Sequence, residues 1–147
     1  IALDMVLNHN FEAKELILVN SIYPTRVADA LLAKAKMGNG GAANFIIKYG
    51  LYRRLLGMRN AFSEADDLVM LDDLDACNNY ELDLNDIKNV EIPISIILGS
   101  KDRLVDLKAV ENFTDIVPSQ TYTMDEVGHF SFFEDPVELS RLISKIV

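Results

Sequence analysis

The apolar positions of this chain recur with helical spacing at its start, bunch into short runs twice, and alternate between the two rhythms towards its end. Over the opening IALDMVLNHN, Ile1, Met5 and Asn8 follow helical spacing, while Ala2, Leu3, Val6 and Leu7 widen the apolar face. That pattern predicts an amphipathic helix with no capping residue in front of it. Residues 15–20 (ELILVN) form a short apolar run bounded by polar residues, which suits a strand buried on both faces of a parallel sheet. The next such run is IPISIIL, 92–98. Between them the pattern is helical: PTRVADALLAKAKM from Pro24, GAANFIIKYGLYRRLL from Gly41 and SEADDLVMLDDLDACNNY from Ser63. Breaks fall at MGNGG (37–41) and near Gly57 and Asn60, and Ser63 and Glu64 open the third helix, so this stretch reads as a helical insertion between two strands. From Glu91 onward strand and helix alternate: a strand over 92–98 ending at Gly99, a helix over 106–117 capped by Asp106, a strand over 120–124, and a helix over 136–147. The last start is marked three times, by Asp135 as N-cap, Pro136 at the first helical position and Glu138 at capping-box spacing. Such alternation predicts an α/β fold with a parallel sheet and right-handed crossovers.

Composition narrows the function. Half of the 147 residues are hydrophobic, which is enough for one compact core and excludes disorder. No apolar run approaches the roughly 20 residues of a membrane span. Fourteen Lys and Arg stand against 23 Asp and Glu, a net charge of -9 without a basic stripe, so nucleic acid is not an expected partner. One cysteine, Cys77, and two histidines cannot build a disulfide framework or a Cys/His zinc site. Cys77 reads as an inert reduced thiol, and His9 as a solvated residue at a helix C-terminus. The acidic run over 66–76 reads as a solvated helix face. Chemistry therefore falls to His, Asp, Ser, Glu and Tyr.

In open parallel sheets, ligands bind beyond the carboxyl ends of the strands, which directs attention to the loops after Leu98 and Met124. The first, GSKDRLV, holds Asp102; the second, DEVGHFSFFEDP, holds His129 behind Gly128, a glycine free to take a positive φ and aim the imidazole. Successive parallel strands point the same way, so both loops are expected on one edge. An Asp that accepts from His Nδ1 fixes the tautomer and stabilises the imidazolium formed when Nε2 takes a proton, and this supplies two thirds of a hydrolytic triad. An Asp after a strand commonly just supports a turn, and a His in a Phe-rich loop commonly just packs; it is the combination that points to catalysis. Asp125 and Glu126 precede the Gly turn and are expected to face solvent. Phe45, Ile46, Tyr49 and Tyr52 form a stripe at helical spacing that packs within the insertion or lines an apolar pocket.

The segments IPISIILGSKDRLVDLKAV (92–110) and VGHFSFFEDPVELSRLI (127–143) resemble the C-terminal end of the α/β-hydrolase superfamily, in its capped lipase/esterase-like and aminopeptidase-like branches. The family's G-x-x-D-x-x-V pattern falls on Gly99, Asp102 and Val105, and its G-H-F loop on Gly128, His129 and Phe130. Residues 1–24 resemble the helix after the nucleophile elbow together with the next strand. The resemblance implies a hydrolase core over 1–23 and 91–147, a helical cap over 24–90, and Asp102 and His129 as catalytic acid and base. It further implies substrate contacts at Tyr23, Val105 and Phe130, a small-molecule substrate, and neither metal nor cofactor. The family's G-x-S-x-G elbow is absent from these residues, and its place would be about four to six residues before Ile1. The expectation is a C-terminal portion whose nucleophile lies in an upstream segment or a separate chain, cleaving an ester, amide, thioester or lactone through an acyl-enzyme. With sheet edge and apolar helix face left bare, residues 1–147 alone are not expected to be a stable monomer. A single cysteine and no visible signal segment favour the cytoplasm. Two alternatives stay open: an epoxide hydrolase or dehalogenase with an Asp nucleophile and cap donors at Tyr49 or Tyr52, and a non-catalytic protein of this fold that binds a ligand or partner.

Overall fold

A computed structural model of the chain describes residues 1–9, 11–53, 57, 62, 66–88 and 90–147. Three parallel strands, β1 (Leu16–Val19), β2 (Ile94–Gly99) and β3 (Gln120–Met124), pair in the order β1-β2-β3. Leu16 lies opposite Ile94, Val19 opposite Ile97 and Gly99 opposite Met124. α1 (Ala2–Asn8) precedes β1. Between β1 and β2 come α2 (Asp29–Lys36), α3 (Gly41–Gly50), α4 (Asp67–Asn79) and the single turn α5 (Leu84–Ile87). α6 (Leu107–Ile116) crosses from β2 to β3, and α7 (Ser131–Glu134) and α8 (Pro136–Ile146) end the chain.

Every residue of the central strand β2 is buried, which is why its sequence is apolar apart from Ser95, whose hydroxyl donates to Glu15 Oε1 at 2.7 Å. Its side chains still divide by parity. Ile94, Ile96 and Leu98 join Leu3 of α1, Ile87 of α5 and Val110 and Phe113 of α6, whereas Ile97 joins Met124, Val127 and the α8 residues Leu139 and Leu142. Helices thus cover both faces. Fully burying a ring such as Phe113, with no exposed surface, stabilises the fold by about 1.5–3 kcal/mol. The insertion packs on itself, with Leu31, Ala35 and Ala42 at the centre and Phe45, Ile46, Met70, Leu71 and Leu74 around them.

The helix starts follow their capping residues. The Asp106 side chain accepts from Lys108 N at 2.9 Å and Asp135 from Glu138 N at 3.1 Å, with Pro136 in the first turn. The capping box is only half made. Glu138 turns to Arg141, with oxygen–nitrogen distances of 2.7 and 2.6 Å, because the Asp135 N–H it would accept already donates to Ser131 O at 2.9 Å. Gly38 and Gly40 break the first pair of helices of the insertion at φ 62° and 73°, a conformation that favours glycine. α3 ends at Gly50, earlier than its apolar pattern suggests, and Leu51 is extended at φ -94° and ψ 130°. Gly57 is itself helical, against the break expected there, while Asn60 and the helix opening expected at Ser63 and Glu64 lie outside the described residues. α4 begins at Asp67, with Asp66 as N-cap accepting from Leu68 N at 2.8 Å. Asp67 itself departs from the expected solvated face: it is buried and accepts from Gly40 N at 2.5 Å.

At Gly99, where β2 leaves the sheet, a Cβ would sit 2.3 Å from both Val127 O and Gly128 O. Backbone cannot yield there as a side-chain tip would. Gly99→Ala should therefore destabilise the fold by at least about 1–3 kcal/mol, read as a lowered urea midpoint with unchanged slope. An unchanged midpoint would show that the two loops have room to separate.

Candidate active site

The loops after β2 and β3 are stitched together by backbone before any side chain intervenes. Ser100 N donates to Met124 O and Lys101 N to Val127 O, each at 2.8 Å, and Asp102 N returns to Gly99 O at 3.1 Å. The tight turn presents the Asp102 carboxylate inward, its side chain 3 % exposed. Oδ1 accepts the N–H groups of Leu104 at 2.8 Å and Val105 at 3.2 Å, an arrangement typical of Asp at turns. Oδ2 accepts Asn20 Nδ2 at 3.2 Å and lies 2.9 Å from Nδ1 of His129, whose side chain is 28 % exposed.

Burial pushes the Asp102 carboxyl upward, but the hydrogen bond and charge of His129, together with the Leu104 and Val105 N–H groups, outweigh it and hold the group below the ordinary carboxylate range. An ionised carboxylate can only accept, so the proton in the Asp102–His129 bond belongs to Nδ1. In the neutral ring, Nε2 is then left as the acceptor, the form a general base requires.

His129 is fixed through its backbone as well. Its N–H donates to Gly50 O, the carbonyl at the end of α3, at 2.6 Å. Gly128 N donates to Glu134 Oε1 at 3.1 Å, and Gly128 O accepts Asn20 Nδ2 at 3.2 Å. Ser131 Oγ in turn donates to Asn20 Oδ1. The reason for a glycine at 128 differs from the expected positive φ: its φ lies outside the left-handed region, which is occupied instead by Glu126 at 52°. Space is the actual constraint, because a Cβ at 128 would lie 2.3 Å from Gly50 O and 2.7 Å from Glu134 Oε1.

A cavity of about 710 Å³ opens between the insertion and the sheet. His129, Phe130, Leu104 and Val105 line it from the sheet side, and Leu31, Phe45, Ile46 and Tyr49 from the helical side. A smaller recess of about 260 Å³ shares Val105 and His129. Of the residues expected to touch substrate, Val105 and Phe130 line the large cavity and Tyr23 lines neither. Tyr23 is buried edge-on to Tyr80, and its hydroxyl donates to Leu82 O at 2.7 Å and accepts Leu82 N. Tyr49 reaches the cavity and stacks on Phe45 at 4.4 Å between ring centres, whereas Tyr52 is half exposed outside it. Asp125 and Glu126 face solvent, and His9 is exposed and pairs with Asp4 at 3.2 Å. Asn20, Ser131 and Glu134, all buried, were not singled out by the sequence. Only Asn20 left a signal, an Asn directly after a strand, where its φ of 45° is one Asn tolerates. Among the described residues no group of three His, Cys, Asp or Glu is placed to hold a metal ion, and no helix is long and apolar enough to cross a membrane.

No family model and no curated protein matches the chain. Solved structures do. An esterase from Exiguobacterium antarcticum superposes with a TM-score of 0.82 at 16 % identity, over 99 % of this chain and 61 % of its own. The enol-lactonase from Burkholderia xenovorans gives 0.80 at 13 %, over 98 % and 60 %. An α/β-hydrolase enzyme from a Medee basin deep-sea metagenome library gives 0.73 at 18 %, over 97 % and 58 %. The chain spans about three fifths of the length of these structures. Its parallel sheet, crossover helices and helical insertion are those of the C-terminal portion of the α/β-hydrolase fold.

Proposed function

We propose that this chain is the C-terminal part of a hydrolase and supplies the Asp and His of a Ser-Asp-His triad, with the serine in an upstream segment or a separate chain of the same protein. The observation that carries the reading is the buried Asp102 carboxylate 2.9 Å from Nδ1 of a histidine that lines an apolar cavity. In this reading residues 1–23 and 91–147 are the catalytic core and 24–90 the cap, and the complementary segment pairs beside β1. The esterase and enol-lactonase among the similar structures favour an ester or lactone substrate, with amides and thioesters open to the same chemistry.

His129 Nε2 takes the proton of the serine hydroxyl as its oxygen attacks the substrate carbonyl. The imidazolium is stabilised by Asp102, which stays ionised throughout. Collapse of the tetrahedral intermediate breaks the bond to the leaving group, which receives the proton from Nε2, and leaves an acyl-serine. Water then attacks the acyl carbon as His129 Nε2 takes its proton, and collapse of this second intermediate breaks the carbon–serine oxygen bond, returns the proton to the serine and releases the acid. Donors for the oxyanion would come from the upstream segment, as in the fold's nucleophile elbow. Val105 and Phe130 would contact the acyl group, together with the Phe45 and Tyr49 wall.

In the complete protein, His129→Ala should nearly abolish turnover of a p-nitrophenyl ester, and Asp102→Asn should lower kcat by roughly 10⁴-fold, because the imidazole would lose its tautomer. A fluorophosphonate probe should label a serine upstream of Ile1 in a His129-dependent way; no labelling, or full activity in either variant, refutes the assignment. A second expectation concerns acid. Asp102 has its folded value below the ordinary 3.8, so the stability it contributes is complete above that pH and is lost as pH falls below 3.8 through the lowered folded value. Melting curves should therefore show the gap between wild type and Asp102→Asn closing on acidification in that window. A gap independent of pH would mean that the carboxylate's charge is not what the fold uses.

A further inference from the structure

The end of α3 meets the His129 loop where His129 N donates to Gly50 O, and one buried side chain holds the junction from below. Glu134 is 5 % exposed. Its carboxylate makes no ion pair among the described residues; it is satisfied by N–H groups from two separate segments. Oε1 accepts Gly128 N at 3.1 Å, and Oε2 accepts Tyr52 N at 3.0 Å and Arg53 N at 2.8 Å. Gly128 stands immediately before His129, and Tyr52 and Arg53 follow directly on α3. The Arg53 guanidinium reinforces the junction, donating to Glu134 O at 3.1 Å and lying 3.8 Å from the Asp135 carboxylate. Burying a carboxylate is costly unless it is fully hydrogen-bonded, and bonds to a charged acceptor are about twice as strong as neutral ones. Glu134 lines neither cavity and makes no hydrogen bond to the Asp102 or His129 side chain.

We propose that Glu134 is a positioning residue, a latch that ties the foot of the cap to the loop carrying His129 and so holds the cap wall of the cavity in register with the sheet wall. The catalytic consequence rests on the hydrolase reading above; the latch itself does not. Releasing it frees the cap wall, Phe45 and Tyr49, from the sheet wall, Val105 and Phe130, while the Asp102–His129 bond persists. Substrates long enough to touch both walls should feel the loss most.

Glu134→Gln keeps the side chain's volume but replaces one acceptor oxygen with an amide donor that faces N–H groups. In the complete protein, amide hydrogen exchange at Tyr52 and Arg53 should accelerate roughly 10- to 100-fold, the factor for losing one bond to a charged group, with Ile96 and Ile97 in β2 unchanged. For p-nitrophenyl octanoate kcat/KM should fall at least about tenfold further than for p-nitrophenyl acetate, since only the longer acyl chain spans the cavity. A role confined to stability would lower both by the same factor. Should Glu134→Gln fail to fold, Glu134→Asp, which withdraws the carboxylate by one methylene, carries the same test. Unchanged exchange at Tyr52 and Arg53 overturns the latch, and so does faster exchange with an unaltered octanoate-to-acetate ratio. If the wild-type protein hydrolyses neither ester, the hydrolase reading fails separately, and exchange at Tyr52 and Arg53 decides the latch.

Discussion

A carboxylate withdrawn from water must be given back all its hydrogen bonds, and around Asp102 that requirement shapes the whole end of the sheet. Its two oxygens receive Leu104 N, Val105 N, Asn20 Nδ2 and His129 Nδ1, which matches the roughly four lone-pair sites of a carboxylate. Removing any of these donors would leave a buried charge short of a partner, a far larger penalty than the modest net gain of an average hydrogen bond. The side chain therefore acts as a fastener for its own loop on one oxygen and as an orienting group for the imidazole on the other.

The sheet makes that convergence possible. Because β1, β2 and β3 are parallel and adjacent, their carboxyl ends lie side by side, with Val19 opposite Ile97 and Gly99 opposite Met124. Each strand then releases one polar residue into the same place: Asn20 from β1, Asp102 from β2 and His129 from β3. The middle strand can stand between the other two only because it is buried throughout and accepts helices on both faces. The strand order thus becomes a spatial order of chemical groups, without any of the three being close in sequence.

Those parts of this arrangement that depend on side-chain type were legible in the sequence. Apolar runs gave the strands to within about two residues, and the Asp and His stood out because each follows a strand and the chain has only two histidines. Asp106, Asp135 and Pro136 marked helix starts because capping is local chemistry. What stayed hidden depends on backbone and on tertiary neighbours. Glu134 binds only N–H groups, which every segment has, so nothing in the sequence pairs it with Tyr52 and Arg53. Gly128 was read as a conformational glycine, when its real reason is the nearness of Gly50 O, a contact 78 positions away in the numbering. Tyr23, beside Pro24 at a strand end, looked placed for substrate, but the Leu82 backbone and Tyr80 ring draw it into the interior.

The close approach of Gly50 to Gly128 and Phe130 leaves a different mark on how such a molecule can diversify. A Cβ at 50 would lie 2.7 Å from the Phe130 ring and 3.0 Å from Leu104, side chains that must give way, and one at 128 would meet the Gly50 carbonyl at 2.3 Å, which cannot. Freedom in the insertion is therefore uneven: its chamber-facing rings can be exchanged to reshape what fits inside, whereas the point where it rests on the sheet admits almost no alteration. In the proposed hydrolase, new specificities would have to be written in the roof and not in its hinge-post.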